Sequence, residues 1–176
     1  MAKNYLDEFD ELYSRKFGSG EKVKTPVFAL NGHIIENYFC PEDNCADQII
    51  RLINKSEKSI DFMYFSFTDD NIGNALLARK DQIKIMGVFE KQQNSPLYSE
   101  YQKLLDAGIK VRVDGNKYKM HNKVMIIDGK IVAFGSYNPT ANGNKENDEN
   151  LVIDHTPSLA LQFEKEFERV YSLGIQ

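Results

Sequence analysis

The sequence has no tryptophan, two cysteines, five prolines and three histidines in 176 residues. His33, His121 and His155 are its whole supply of imidazole. Cys40 and Cys45 cannot build a disulfide framework, and with so few histidines a Cys/His zinc cluster is poorly supplied. We expect the two cysteines as free buried thiols. Long apolar runs are missing too: none approaches the roughly 18 residues that cross a bilayer. The opening MAKNYLDEFDELYSRKFG puts acids where a signal peptide carries its apolar centre. These absences lead us to expect a cytoplasmic protein without a transmembrane segment. Positive charge is in deficit, with 22 Lys and Arg against 26 Asp and Glu and a net charge of −4, which argues against coating nucleic acid by bulk charge. What is present is ordinary for one folded domain: 41% hydrophobic and 27% charged residues, with no repeat and no low-complexity segment.

Periodicity supplies the elements. Tyr5, Leu6, Phe9, Leu12, Tyr13 and Phe17 recur at threes and fours and predict an amphipathic helix closed by Gly18-Ser19-Gly20. Residues 1–26 read as that helix and a linker, and residues 27–174 as the domain proper. Val27–Leu30 and Ile34–Phe39 read as a hairpin on Asn31-Gly32. Helices and strands then alternate. A helix is expected from about Asn44 to Glu57, a strand over Ser59–Phe67, and a helix capped by Thr68. A strand over Gln82–Phe89 precedes a helix opened by Ser95-Pro96 and closed by Gly108. Ile109–Val113 is another strand, and His121–Asp128 pairs with Lys130–Phe134 around an Asp-Gly turn. A short strand over Asn150–Asp154 and a helix over Pro157–Leu173 complete the chain. The pattern implies an α/β fold, an α-β-α sandwich around a mixed, largely parallel sheet with helices on both faces.

The chemistry concentrates in residues 121–138, HNKVMIIDGKIVAFGSYN. Side chains alternate faces along a strand, so His121 and Lys123 share one face while Asp128 falls on the other. Ser136 and Asn138 share a side at the end of the next strand. Imidazole, ammonium, hydroxyl and amide gathered at neighbouring strand ends suit a phosphate group, with Lys123 and Asn138 on its oxygens and Gly135 permitting close backbone approach. Six positions at fixed spacing, His121-x-Lys123-x4-Asp128-x6-Gly135-Ser136-x-Asn138, arise by chance in about one per several hundred thousand chains of average composition.

This pattern resembles the HKD motif of the phospholipase D superfamily, and a weaker likeness runs from about Val27 to Val170. The resemblance implies a phospholipase D-like sandwich and a two-step displacement at a phosphodiester that needs no metal and no cofactor. One histidine forms a phosphohistidine, and a second protonates the leaving oxygen and then activates water. Lys123 and Asn138, with Ser136, would stabilise charge. Glu149, in Asn147-Asp148-Glu149-Asn150, takes the family's downstream acidic position and would orient a catalytic imidazole. Asp128 precedes a turn glycine and reads as structural, as does Gly135.

The mechanism needs two motifs and this chain has one, since His33 precedes Ile-Ile and His155 precedes Thr-Pro. A homodimer completing one two-histidine site is our expectation. The alternative is the C-terminal half of a two-motif protein lacking its first HKD half, for residues 5 to 39 resemble the connector in such proteins. Between Lys110 and Lys130 stand six basic residues and two acids, a local excess in an acidic chain. Lys117 and Lys119 flank Tyr118 there, as a nucleic-acid contact would. We therefore expect an endonuclease resembling the bacterial single-motif members. Phospholipid headgroup hydrolysis is the second reading, and a catalytically silent binding module the third.

Overall fold

The computed structural model describes residues 1–95 and 97–175. Eight strands form one sheet: β1 (Val27–Leu30), β2 (His33–Cys40), β3 (Ser59–Tyr64), β4 (Lys84–Phe89), β5 (Lys110–Val113), β6 (Lys123–Ile127), β7 (Ile131–Gly135) and β8 (Glu149–Asp154). Their order is β1-β2-β8-β7-β6-β3-β4-β5. The sheet is mixed, but parallel pairing is confined to β3-β4-β5, and the other pairings are antiparallel. The expectation of a largely parallel sheet is corrected on this point. Helical crossovers return the chain in the same direction only for β4 and β5, whereas hairpins and short links insert β6, β7 and β8 between β3 and β2.

Helices cover both faces. On one side α2 (Cys45–Lys55), α3 (Asp70–Arg79) and α4 (Tyr101–Asp106) bury Ile49, Ile53, Leu76 and Leu104 against Ile60, Phe62, Met125, Ile127 and Ile153. On the other, α6 (Pro157–Leu173) lays Ala160, Phe167 and Val170 on Met63, Val88, Val124 and Ile126. The alternation of Met125 and Ile127 with Val124 and Ile126 is the period-two rule with both faces dry. α1 (Ala2–Tyr13) touches β2 through Tyr5, whose ring meets Phe39 edge-on at 5.0 Å, while Leu6, Phe9 and Tyr13 stay exposed.

Three of these local expectations differ, and one short helix was not expected. Asp69, not Thr68, caps α3, accepting from the Asn71 and Ile72 N–H groups, because a carboxylate one residue later reaches both orphan donors. α4 begins only at Tyr101; Ser95 starts a turn, and Pro96 lies outside the described residues. A five-residue helix, α5 (Ala141–Lys145), capped by Thr140, was not legible as a helix. Cys40 and Cys45 are joined as a disulfide rather than free. The end of β2 and the start of α2 bring their Cα atoms to 5.8 Å, within bridging range.

Candidate active site

The ends of β3 and β7 and the starts of β6 and β8 meet along one edge of the sheet. Lys123 pairs with Tyr64 across β6 and β3, and Gly135 with Leu151 across β7 and β8. That register brings His121, Lys123, Asn138 and Glu149 to the same edge.

Lys123 is the buried member, 9% exposed, while His121 is exposed beside it. The Lys123 Nζ lies 3.3 Å from His121 Nδ1 and donates to the His121 carbonyl at 2.9 Å. Burial pushes the Lys123 ammonium below its ordinary value, and the charge of Glu149 opposes that shift. With Nδ1 turned to Lys123, His121 presents Nε2 outward. Phe65 backs the pair: its ring centroid is 4.4 Å from the imidazole and 4.9 Å from the ammonium. Sequence reasoning did not single out Phe65. No composition signal separates it from Phe62 and Phe67, but it follows the last residue of β3, where alternation no longer forces a side chain inward.

Asn138 accepts a hydrogen bond at Oδ1 from the Ser66 N–H at 3.1 Å, which fixes its amide and leaves Nδ2 as a free-facing donor. The turn behind it is held by Pro139, whose carbonyl accepts from Thr68 and Asp69, and by Asn144, which bridges Asp69 and Tyr137. The Ser136 hydroxyl oxygen accepts from the Asn150 N–H at 3.0 Å, so its first partner is β8. Gly135 allows a close approach, and the structure shows to what: a Cβ there would stand 2.2 Å from the Asn150 carbonyl oxygen. Glu149 accepts from Asn147 at 3.2 Å, and among the described residues no hydrogen bond joins it to His121.

Asp128 lies at the far end of β6. Its carboxylate accepts from the N–H groups of Glu57, Lys58 and Ser59. Burial alone would raise its pKa, but these three donors outweigh burial and hold it below the ordinary range. Asp128 and Gly129 both have positive φ, the conformation of a two-residue hairpin turn. Lys117 and Lys119 sit on the exposed loop leading to His121, with Lys117 Nζ 5.7 Å over the Tyr118 ring. The sequence-level basic island does not stay together: Arg112 packs over Tyr171 beneath α6, and Lys110 and Lys130 lie at the other end of the sheet. Glu90, which sequence reasoning missed, ends that loop by accepting from the Met120 N–H at 2.7 Å.

Beside Phe65, Ser66 and Asn138 opens a cavity of about 850 Å³, lined largely by amide and hydroxyl side chains such as Gln93, Gln102, Thr140, Asn142 and Asn147, with Tyr98 exposed at its rim. The other imidazoles are elsewhere. His33 belongs to the β1–β2 hairpin, and His155 Nε2 meets Glu36 Oε1 at 2.7 Å at the far end of β8.

Comparison with known families fits this geometry. A family model described as the PLD-like domain of cardiolipin synthase matches residues 49–171, which hold the whole constellation. The chain belongs to the phospholipase D-like family. The mitochondrial cardiolipin hydrolase of Chlamydomonas reinhardtii is 27% identical over 98% of this chain and 90% of its own. Phospholipase D of Rickettsia conorii is 33% identical over 76% of this chain, which spans 68% of the rickettsial protein. Among solved structures, the phospholipase D family member Nuc from Salmonella typhimurium superposes with a TM-score of 0.76 at 28% identity, covering 80% of this chain and 95% of that one. NucT from Helicobacter pylori, at 24% identity and a TM-score of 0.73, shares the fold. This phospholipase D-like chain is a hydrolase of phosphodiester bonds. Among its described residues no helix is long and apolar enough to cross a membrane.

Proposed function

We propose that the chain cleaves the phosphodiester backbone of a nucleic acid through a phosphohistidine, in a site shared by two copies, with residues 27–174 as the working domain and residues 1–26 appended. The observation that carries this is the His121–Lys123 pair backed by Phe65, which also lines a wide cavity where the Asn138 amide stands among further amide and hydroxyl side chains. In the first step one His121 turns its Nδ1–H from Lys123 to the other copy's Glu149, and the Nε2 lone pair so freed bonds to phosphorus. The P–O bond to the leaving oxygen breaks, and that oxygen takes a proton from the His121 of a second copy. In the second step water gives its proton back to that imidazole and attacks the phosphohistidine, releasing the phosphate and restoring the nucleophile. Lys123 Nζ and Asn138 Nδ2 face the phosphoryl oxygens as their charge grows. Lys117 and Lys119 meet the continuing strand, and Ser136 supports the turn that presents Asn138. Glu149, unbonded to its own His121, is free to orient the other copy's imidazole.

Two observations favour phospholipid headgroups as a second reading: the similarity to the Chlamydomonas cardiolipin hydrolase and the rickettsial phospholipase D, and the exposed apolar side of α1 beside Glu149. Incubation with single- and double-stranded DNA and RNA in EDTA, beside vesicles containing cardiolipin, separates the two. The nucleic-acid reading expects cleavage in chelator, lowered about a thousandfold or more in His121→Ala. Headgroup release without nucleic-acid cleavage supports the second reading. Inactivity on every substrate returns the silent module.

A further inference from the structure

Beneath α6, toward the end of the sheet away from His121, lies a separate cavity of about 450 Å³. Asp61 projects into it from β3. Strand alternation sends Ile60 and Phe62 into the α2–α3 layer and Asp61 into the α6 layer, among Met86, Phe167 and Tyr171. Asp61 is only 7% exposed, and its Oδ1 is shielded from solvent without a hydrogen-bond partner. Glu36 is compensated by Tyr38, Arg51 and His155, and Asp69 by two backbone N–H groups; Glu100, whose Oε2 also lacks a hydrogen bond, has the Lys103 ammonium 3.1 Å away. A buried carboxylate oxygen left unpaired is costly, so its retention points to a donor that arrives from outside.

The charges around it set the sign of that donor. Lys84 faces Asp61 from β4, but no ion pair joins them; Glu164 and Glu168 face it from α6. Arg112 of β5 is already engaged, its guanidinium 4.3 Å over the Tyr171 ring and donating to the Tyr171 carbonyl at 2.9 Å. Acids are in excess, and the Phe167 and Tyr171 rings, 5.5 Å apart, provide an aromatic wall. We propose that this cavity binds a small organic cation, an ammonium on an aromatic or apolar body, with Asp61 as its counter-ion. The rings take the body and favour the cation further. Burial pushes the Asp61 carboxyl up to about 6, with Lys84 opposing and Glu164 and Glu168 reinforcing, so occupancy rises between pH 5 and pH 7.5 as the carboxylate ionises. The site is independent of the phosphodiesterase reading.

Titration of the isotope-labelled chain with benzylamine, benzyl alcohol and benzoate, followed by amide NMR, tests it. Benzylammonium shifts the amides of Asp61, Met86 and Tyr171 saturably, and benzyl alcohol binds about tenfold more weakly or not at all. Asp61→Asn weakens benzylamine by about tenfold and abolishes the gain between pH 5 and pH 7.5. Should Asp61→Asn fail to fold, Glu164→Gln weakens benzylamine about threefold by removing one reinforcing charge. Absence of saturable shifts, binding of benzoate as tight as that of benzylamine, or unchanged affinity in the folded variant overturns the proposal.

Discussion

Phe65 touches both members of the His121–Lys123 pair and lines the cavity beside them. It keeps water from the ammonium and limits the tilt of the imidazole, so it acts as a positioning residue. Phe65→Ala is expected to lower kcat about tenfold or more while changing KM less than threefold, with Phe65→Tyr retaining most of the rate; steady-state kinetics on whichever substrate is cleaved in EDTA checks this. A purely structural role would instead lower the amount of folded protein and leave kcat of the remainder intact. His121, Lys123 and Asn138 were legible because strand parity and fixed spacing converge on them. Phe65 was not, since nothing in an aromatic run says which ring falls past the strand's end. Ser136 and Gly135 were legible as motif positions, but their partner, the backbone of Asn150, came from a strand that no local pattern could dock.

At the scale of elements, α1 packs where acids gather. Glu8, Glu11 and Glu42 hold carboxylate oxygens within 4.8 Å of one another. Burial pushes Glu8 up to about 7, with Glu42, Glu11, Asp148 and Asp43 reinforcing. Because the folded state holds the proton more tightly than the unfolded chain, docking of α1 is strongest below the ordinary glutamate range and weakens as pH rises through 7. Glu8→Gln is therefore expected to strengthen α1 docking at pH 8 by about 1 kcal/mol, allowing for solvent screening, and to change nothing near pH 4. Hydrogen exchange of the α1 amides measures it. The helix itself was legible from its spacing of threes and fours. Its acid neighbours were not, for Glu42 comes from the turn between β2 and α2. The same reason explains the misjudged sheet: turn residues reveal hairpins, whereas the insertion of three antiparallel strands beside β3 is decided by which apolar faces fit.

The whole molecule brings one imidazole to its active edge, among the described residues, and the proposed displacement uses two. Light scattering is expected to give twice the 20.2 kDa chain mass under assay conditions. After subunit exchange with an equal amount of His121→Ala, activity per wild-type chain should fall to about half, since mixed pairs carry one nucleophile without its proton donor. Activity per wild-type chain that stays constant would mean that each copy works alone. The hairpin of β6 and β7 has one more consequence. Every polar group assigned to the phosphate comes from residues 121–149, one uninterrupted segment whose hairpin pairs with β3 and whose last residue pairs with β2. Chemistry written so compactly travels as a cassette: a gene duplication that copied this segment with its supporting strands would deliver both halves of the reaction to one polypeptide, and the symmetry once supplied by assembly would become a matter of inheritance.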